Sequence, residues 1–268
     1  MFNELVFIGL GLQDELGISL RGLQEAKTCD YVFAELYTNP MPKLSLENLE
    51  RTLGKQIRVL TRKEVEEEAE ELILSKTRIG KVGFLAPGDP MVATTHVDLR
   101  LRCHRTGIKT RIIHAASVAS AVAGVMGLQS YKFGRTVTIP ATYDREFPES
   151  IYKAIKSNLE SSLHTLILLE IDVEHKRHIT IPQALNQLID YAQRTPDNLV
   201  TPETLVVGVA RLEFDDMLLR AGTARQISQT NFGDPPYTLV IPSRLHFMEA
   251  EALQAFCGAD RELVDKKR

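Results

Sequence analysis

Only three cysteines, Cys29, Cys103 and Cys257, occur in 268 residues, too few and too scattered for a disulfide framework or a C-x-x-C metal site. They read as buried thiols of a reducing cytoplasm. Neither sign of charge dominates: 32 Lys and Arg stand against 35 Asp and Glu, a formal net charge of −3, which argues against a nucleic-acid binder held by global charge. Long apolar runs are missing as well. The longest, Ala115 to Leu128, is too short for a membrane span and carries Ser117 and Ser120; it reads as a buried helix of small residues. The N-terminal MFNELVFIGLG has no basic segment ahead of its short apolar run, so a first strand is expected there rather than a secretion signal. No G-x-S-x-G, H-E-x-x-H or P-loop occurs, which removes the usual supports for nucleophile-elbow hydrolysis, zinc chemistry and NTP hydrolysis. His175 and His178, on the charged segment from Glu174 to His178, read as part of a solvated turn rather than a metal-ligand pair.

What is present is the composition of an ordinary globular chain, 44% hydrophobic and 25% charged. Short β-branched runs alternate with helical patterns. Strands are predicted at Leu5 to Ile8, Tyr31 to Ala34, Ile57 to Leu60, Val82 to Ala86 and Thr110 to Ile113. Helices are predicted at Ser19 to Cys29, Leu46 to Leu53, the acidic stretch Glu64 to Leu74, and Thr95 to Arg105. Five strands with intervening helices imply a mainly parallel sheet covered on both faces. After Leu128 the strands Thr136 to Ile139, Thr165 to Ile171, Leu205 to Ala210 and Thr238 to Ile241 are joined by longer, Pro-punctuated connections. Two hairpin-like or edge pieces are expected between Leu218 and Ile227, which suits a mixed sheet. The chain thus divides into an N-terminal α/β domain, 1–114, and a C-terminal α/β domain, 115–268, with a cleft expected between them.

Three segments at predicted strand ends could carry chemistry. Gly9-Leu-Gly-Leu-Gln-Asp14 follows the first strand, where two glycines allow a tight turn or close approach to a ligand. It lacks the third glycine of a dinucleotide fingerprint. Leu85-Ala-Pro-Gly-Asp-Pro-Met-Val-Ala-Thr-Thr-His96 follows another strand, where Pro87 and Pro90 stiffen a loop around Gly88 and Asp89 offers a rigid acceptor. A capped turn before a helix would account for it equally well. His114-Ala-Ala-Ser-Val-Ala-Ser-Ala121 runs from a strand end into a helix of small side chains that Ser117 can cap. In open α/β sheets ligands bind outside this carboxyl edge.

Together GLGL, APGDPMVATTH and HAASVASA resemble the tetrapyrrole methylase family, S-adenosylmethionine-dependent methyltransferases of two α/β domains. CDYVFAELYT at Cys29 to Thr38, YKFGR at Tyr131 to Arg135, LHTLILLEI at Leu163 to Ile171 and NFGDPPYTLVIPSRLHFMEAE at Asn231 to Glu251 are closest to one branch of that family. Its members methylate the amino group of a 3-amino-3-carboxypropyl chain on a histidine of translation elongation factor 2. The resemblance runs from residue 3 to about residue 260 and implies S-adenosyl-L-methionine as cofactor, with S-adenosyl-L-homocysteine as its product. By the family's pattern the cofactor contacts fall on Leu12, Asp89, Val92, Ser117, Val118, Leu169, Leu212 and Tyr237. Tyr237 stands where relatives can carry a histidine. No base is specified, and Glu35, Asp89, Glu170 and Asp172 are the strand-end carboxylates that could accept the amine's proton. The resemblance further implies a cytoplasmic homodimer with elongation factor 2 as protein substrate and no nucleic-acid, membrane or metal partner. The short length favours the type that stops at a trimethylammonium product. Two other readings stay open: a methyltransferase of this fold acting on a corrin precursor or ribosomal RNA, and a non-catalytic small-molecule-binding protein.

Overall fold

The period of two in LVFI at the start of the chain decides how the first sheet is covered. In β1 (Glu4–Gly9), Leu5 and Phe7 enter one apolar cluster while Val6 and Ile8 enter another on the opposite face, so both faces of the strand are buried, as in a parallel sheet sandwiched by helices. The computed structural model describes residues 3–141, 146–173 and 175–268, so Glu174 lies outside the described residues. It comprises two compact units, dividing after Val118.

The first unit continues through α1 (Leu20–Thr28), β2 (Tyr31–Glu35), α2 (Leu46–Leu53), β3 (Arg58–Leu60), α3 (Arg62–Glu66), α4 (Ser75–Thr77), β4 (Lys81–Ala86), α5 (His96–Arg105) and β5 (Lys109–Ile113). Every strand pairing is parallel and the order is β3-β2-β4-β1-β5. After β1 the chain moves toward the β2 and β3 edge, whereas after β4 it moves to β5 on the other side. The crevice between the carboxyl ends of β1 and β4 is therefore the topological switch point, where open α/β sheets take their ligands. The acidic stretch expected as one helix is broken. Thr61 and Glu64 close a capping box on α3, and a π-helical turn over Glu70–Leu74 leads into α4. That arrangement keeps Val65, Ala69, Ile73 and Leu74 buried and leaves Glu66, Glu67, Glu70 and Glu71 exposed.

The second unit follows from α6 (Val118–Met126), which begins at the division, through β6 (Val137–Ile139), α7 (Glu149–Glu160), β7 (Thr165–Leu169), β8 (Ile171–Asp172), β9 (Arg177–His178), α8 (Ile181–Ala192), β10 (Leu205–Ala210), β11 (Leu218–Thr223), α9 (Ala224–Ser228), β12 (Tyr237–Ile241), α10 (Phe247–Cys257) and α11 (Arg261–Asp265). Its main sheet, β11-β10-β12-β7-β6, is mixed, with only the β6 and β7 pair parallel. Residues 218–227 are one edge strand followed by a helix, not two hairpin pieces, because Thr223 and Gln226 form a capping box that starts α9. Helix α6 buries only the face of Val122, Ala123 and Met126, while Ala119, Ser120 and Gly124 are exposed. The three cysteines are buried, and burial pushes their thiols up, Cys29 and Cys103 to about 11 and Cys257 to about 12.

The YKFG segment is a structural buckle of this unit. Lys132 pairs with Glu249, whose side chain is fully buried. The same carboxylate accepts from the Gln129 amide at 2.9 Å, the His246 amide at 2.8 Å and His164 Nε2 at 3.0 Å. His164 Nδ1 accepts from the Ser243 amide at 3.0 Å, which fixes the ring hydrogen on Nε2. Gly134 lies so close to Asn158 that an added Cβ would fall 2.2 Å from Oδ1; Asn158 in turn brackets the Arg135 backbone with two bonds of 2.9 Å.

Candidate functional site

In the first unit the switch-point loops are stitched to one another by backbone bonds. The Leu10 amide donates to Ala86 O at 2.8 Å, and Gly11 and Gly88 exchange bonds of 3.2 and 2.7 Å. The glycines serve this approach directly. A Cβ on Gly9 would meet Gly88 O at 2.5 Å and Ala115 Cβ at 2.7 Å. Gly9→Ala is therefore expected to cost about 2 to 3 kcal/mol of stability, the upper part of the overpacking range, because the atoms it would meet are a backbone oxygen and a Cβ in loops tied by backbone bonds; denaturant unfolding of parent and variant would measure it. Gly88 differs. It has φ +61, and its missing Cβ faces space bounded by Ser117 and Ala116 atoms at 3.8 to 3.9 Å, a cradle that only glycine leaves open.

Asp89 ties the second loop to the third. It is 5% exposed; Oδ1 accepts from the Met91 amide at 2.9 Å, and Oδ2 lies 2.7 Å from His114 Nδ1 and 3.3 Å from the Ala115 amide. The acid expected to face a ligand is thus first a clasp between the ends of β4 and β5, although two carboxylate oxygens retain acceptor capacity beyond these three bonds. Leu12 and Ser117 are buried, and Val92 and Val118 are half-buried. All five first-unit residues lie beyond the carboxyl ends of β1, β4 and β5, four of them on loops and Val118 at the start of α6.

In the second unit the register does the gathering. Ala210 pairs with Tyr237 and Thr238 with Leu168, so Leu169, Tyr237 and Leu212 come to one edge across β7, β12 and the end of β10. All three are buried. The Tyr237 hydroxyl donates to Gly233 O, so at this position the side chain staples the FGDPP loop. Arg211, just beyond β10, completes that edge: Nη1 donates to Phe232 O at 2.7 Å and to Asp234 O, and Nη2 donates to Asp216 O at 3.1 Å. Nothing in its sequence setting marks it, because its partners lie on two separate loops.

The four candidate carboxylates have different environments. Glu35, at the end of β2, is wholly buried; burial pushes it up to about 7, against the opposing pull of the Thr38 and Tyr37 amides. Asp89 is the clasp. Glu170 is half-buried and accepts from the Ala141 amide at 2.8 Å. Asp172 accepts from His175 Nδ1 at 2.7 Å and from the His175 amide at 3.1 Å, so this histidine belongs to the β8 and β9 turn. Among the described residues no three His, Cys, Asp or Glu side chains are grouped to hold a metal ion, and no helix is long and apolar enough to cross a membrane.

Comparison with known proteins agrees with this architecture. The family model for Tetrapyrrole (Corrin/Porphyrin) Methylases matches residues 4–210, and the chain belongs to that family of methyltransferases. Its curated relatives include the diphthine synthase of Methanothermobacter thermautotrophicus, 42% identical over 98% of both chains, and that of Methanosarcina barkeri, 44% identical over 95% of this chain and 96% of its own. A crystal structure of diphthine synthase matches with a TM-score of 0.87 at 35% identity, covering 98% of this chain and 99% of that one.

Proposed function

We propose that this methyltransferase is a diphthine synthase: it transfers methyl groups from S-adenosyl-L-methionine, in successive steps, to the amino group of the 3-amino-3-carboxypropyl chain on a histidine of translation elongation factor 2. The observation that carries the reading is the near-complete coverage by diphthine synthases at 42% and 44% identity. The archaeal relatives favour three transfers, ending at the trimethylammonium product. A cytoplasmic homodimer is part of the same proposal.

The first-unit loops fit such a cofactor. The open side of Gly88 is a cradle beside Ser117, Asp89 is a rigidly held acceptor, and Leu12 and Val92 offer apolar walls. Leu12, Asp89, Val92, Ser117 and Val118 are the residues of the first unit that would hold the cofactor; Leu169, Leu212 and Tyr237 are the candidate cofactor residues of the second unit, gathered at one edge of its sheet. When bound, it supplies a methyl group already activated on a sulfonium. What the protein adds is alignment of an unprotonated amine and exclusion of water. Glu35 is too deeply buried to touch the amine. Asp89, Glu170 and Asp172, each already holding local hydrogen bonds, remain the strand-end carboxylates for receiving a proton.

Calorimetry with S-adenosylmethionine, with and without chelator, is expected to show the same binding in both. No binding by folded protein would overturn the methyltransferase chemistry proposed here. Intact mass of elongation factor 2 is expected to rise in successive methyl increments only when the factor already bears the aminocarboxypropyl group, since a free histidine analogue lacks the remote contacts that orient the amine. Equal transfer to the unmodified factor, or transfer instead to ribosomal RNA or a corrin precursor, would reject the substrate while leaving the fold intact.

A further inference from the structure

One buried pair of polar groups ties the end of β2 to the last residue of the second strand-end segment. Glu35 ends β2 with no exposure, and His96 opens α5 at 1% exposure. Glu35 Oε2 accepts from the Tyr37 and Thr38 amides at 3.1 and 3.0 Å. His96 Nδ1 lies 2.8 Å from Pro90 O, and because a carbonyl only accepts, Nδ1 carries the ring hydrogen. The two atoms left over, Glu35 Oε1 and His96 Nε2, have no hydrogen-bond partner among the described residues and face each other at 3.6 Å. Phe7 stacks at 6.5 Å between ring centroids on the imidazole, and Phe84 meets it edge-on at 5.1 Å. A closure of about half an ångström brings the facing atoms within hydrogen-bond range.

We propose that Glu35 keeps its proton on Oε1 and donates it to His96 Nε2, forming a neutral acid–imidazole clasp that fixes the loop ahead of α5 and so positions Asp89 and Val92. The proton's place follows from the neighbours: Oε2 accepts from two amides, and Nε2, with Nδ1 protonated, is an acceptor that the facing Oε1 can satisfy only when it carries a proton. The alternative places the same proton on Nε2 and buries a carboxylate against an imidazolium between phenyl rings, where desolvation opposes both charges. Burial raises Glu35 and lowers His96, and both directions favour the neutral form. The groups facing Glu35 are His96, Tyr37, Thr38 and Arg62 at the start of α3. The Thr38 amide and side chain and the Tyr37 amide pull hardest against burial, and Arg62, over the Tyr37 ring at 5.3 Å, adds a smaller pull through its charge.

The clasp rests on the proposed cofactor site for its consequence but not for its existence, so two measurements separate them. Nitrogen NMR of His-labelled protein without cofactor is expected to find His96 neutral, with hydrogen on Nδ1 and Nε2 accepting. A ring protonated at both nitrogens near neutral pH would overturn the proposal. Calorimetry with S-adenosylmethionine from about pH 5.5 to 8.5 is expected to show parent affinity falling roughly tenfold as Glu35 ionises, while Glu35→Gln, whose amide still donates to Nε2, holds affinity within about threefold and shows a flat profile. Glu35→Leu, which cannot donate, is expected to bind weakly at every pH. A Glu35→Gln profile parallel to the parent would overturn the clasp. Absence of binding by the parent at every pH would instead overturn the cofactor reading, with the NMR result still deciding the proton's place.

Discussion

Glu249→Ala is expected to destabilise the second unit by about 3 to 5 kcal/mol, the cost of removing one partner from a buried ion pair and leaving the other charge uncompensated. The stranded groups can be named. Among the described residues Lys132 would keep only Arg244 O, at 2.7 Å, the Gln129 and His246 amides would lose their acceptor, and His164 would lose the acceptor for Nε2. Glu249→Gln keeps the shape and one acceptor oxygen, so an intermediate loss is expected. Denaturant unfolding followed by probes in each unit would measure both. A Glu249→Ala loss below about 1 kcal/mol, the scale of a single ordinary hydrogen bond, would show that the network carries no such load.

The same network sets an acid limit. Burial alone would raise Glu249, but Lys132, the Gln129 and His246 amides and His164 overcome it and hold the carboxyl down at about 2, against an ordinary value of 4.5. A depressed acid contributes stability that is complete above its unfolded pKa and is lost as pH falls toward the folded one. Stability from Glu249 is therefore expected to drain between about pH 4.5 and 2. Glu35 acts in the opposite sense. Its folded pKa is raised to about 7, the folded state holds the extra proton between 4.5 and 7, and stability from this group falls as pH rises through that window.

These interactions mark where reading the chain alone stops. The alternation in LVFI and the five short runs up to Ile113 are local signals, and they correspond to β1 through β5: the central strands β1, β2 and β4 bury both faces, while the edge strands β3 and β5 are legible from their β-branched residues although they stay partly exposed. Thr61 to Glu64, Thr180 to Gln183 and Thr223 to Gln226 are local as well. The last two carry the T-x-x-Q spacing of a capping box, but α8 and α9 lie among Pro-punctuated connections that mask their helical spacing. Asp89 could be singled out from its own loop, but not the identity of its partner, since His114 is 25 residues away. For Glu249 the separations are 117 residues to Lys132 and 85 to His164, and an acidic residue near the start of a helix reads locally as a favourable dipole contact, not as a buried hub. Arg211 was invisible for the same reason: a basic residue after a strand is ordinary until two loops fold their carbonyls around it.

Asp89→Ala is expected to weaken S-adenosylmethionine binding roughly 10- to 100-fold, about 1 to 3 kcal/mol, the scale of hydrogen bonds to a charged group. Two causes contribute, and they can be separated. One is direct, through an acceptor that faces the bound molecule. The other is indirect, because without the carboxylate the Met91 and Ala115 amides and His114 lose their common partner and the loops after β4 and β5 are released from each other. His114→Ala distinguishes them. The His114 side chain is 69% exposed, so its removal leaves no buried orphan, and Asp89 keeps both amide contacts. If the clasp matters, His114→Ala should reproduce part of the affinity loss; if Asp89 acts only by touching the cofactor, His114→Ala should bind like the parent while Asp89→Ala does not. Calorimetry on the three proteins, with unfolding curves to confirm that each is folded, decides between the two. Parent-like affinity in Asp89→Ala would reduce the residue to a turn former and remove it from the cofactor site.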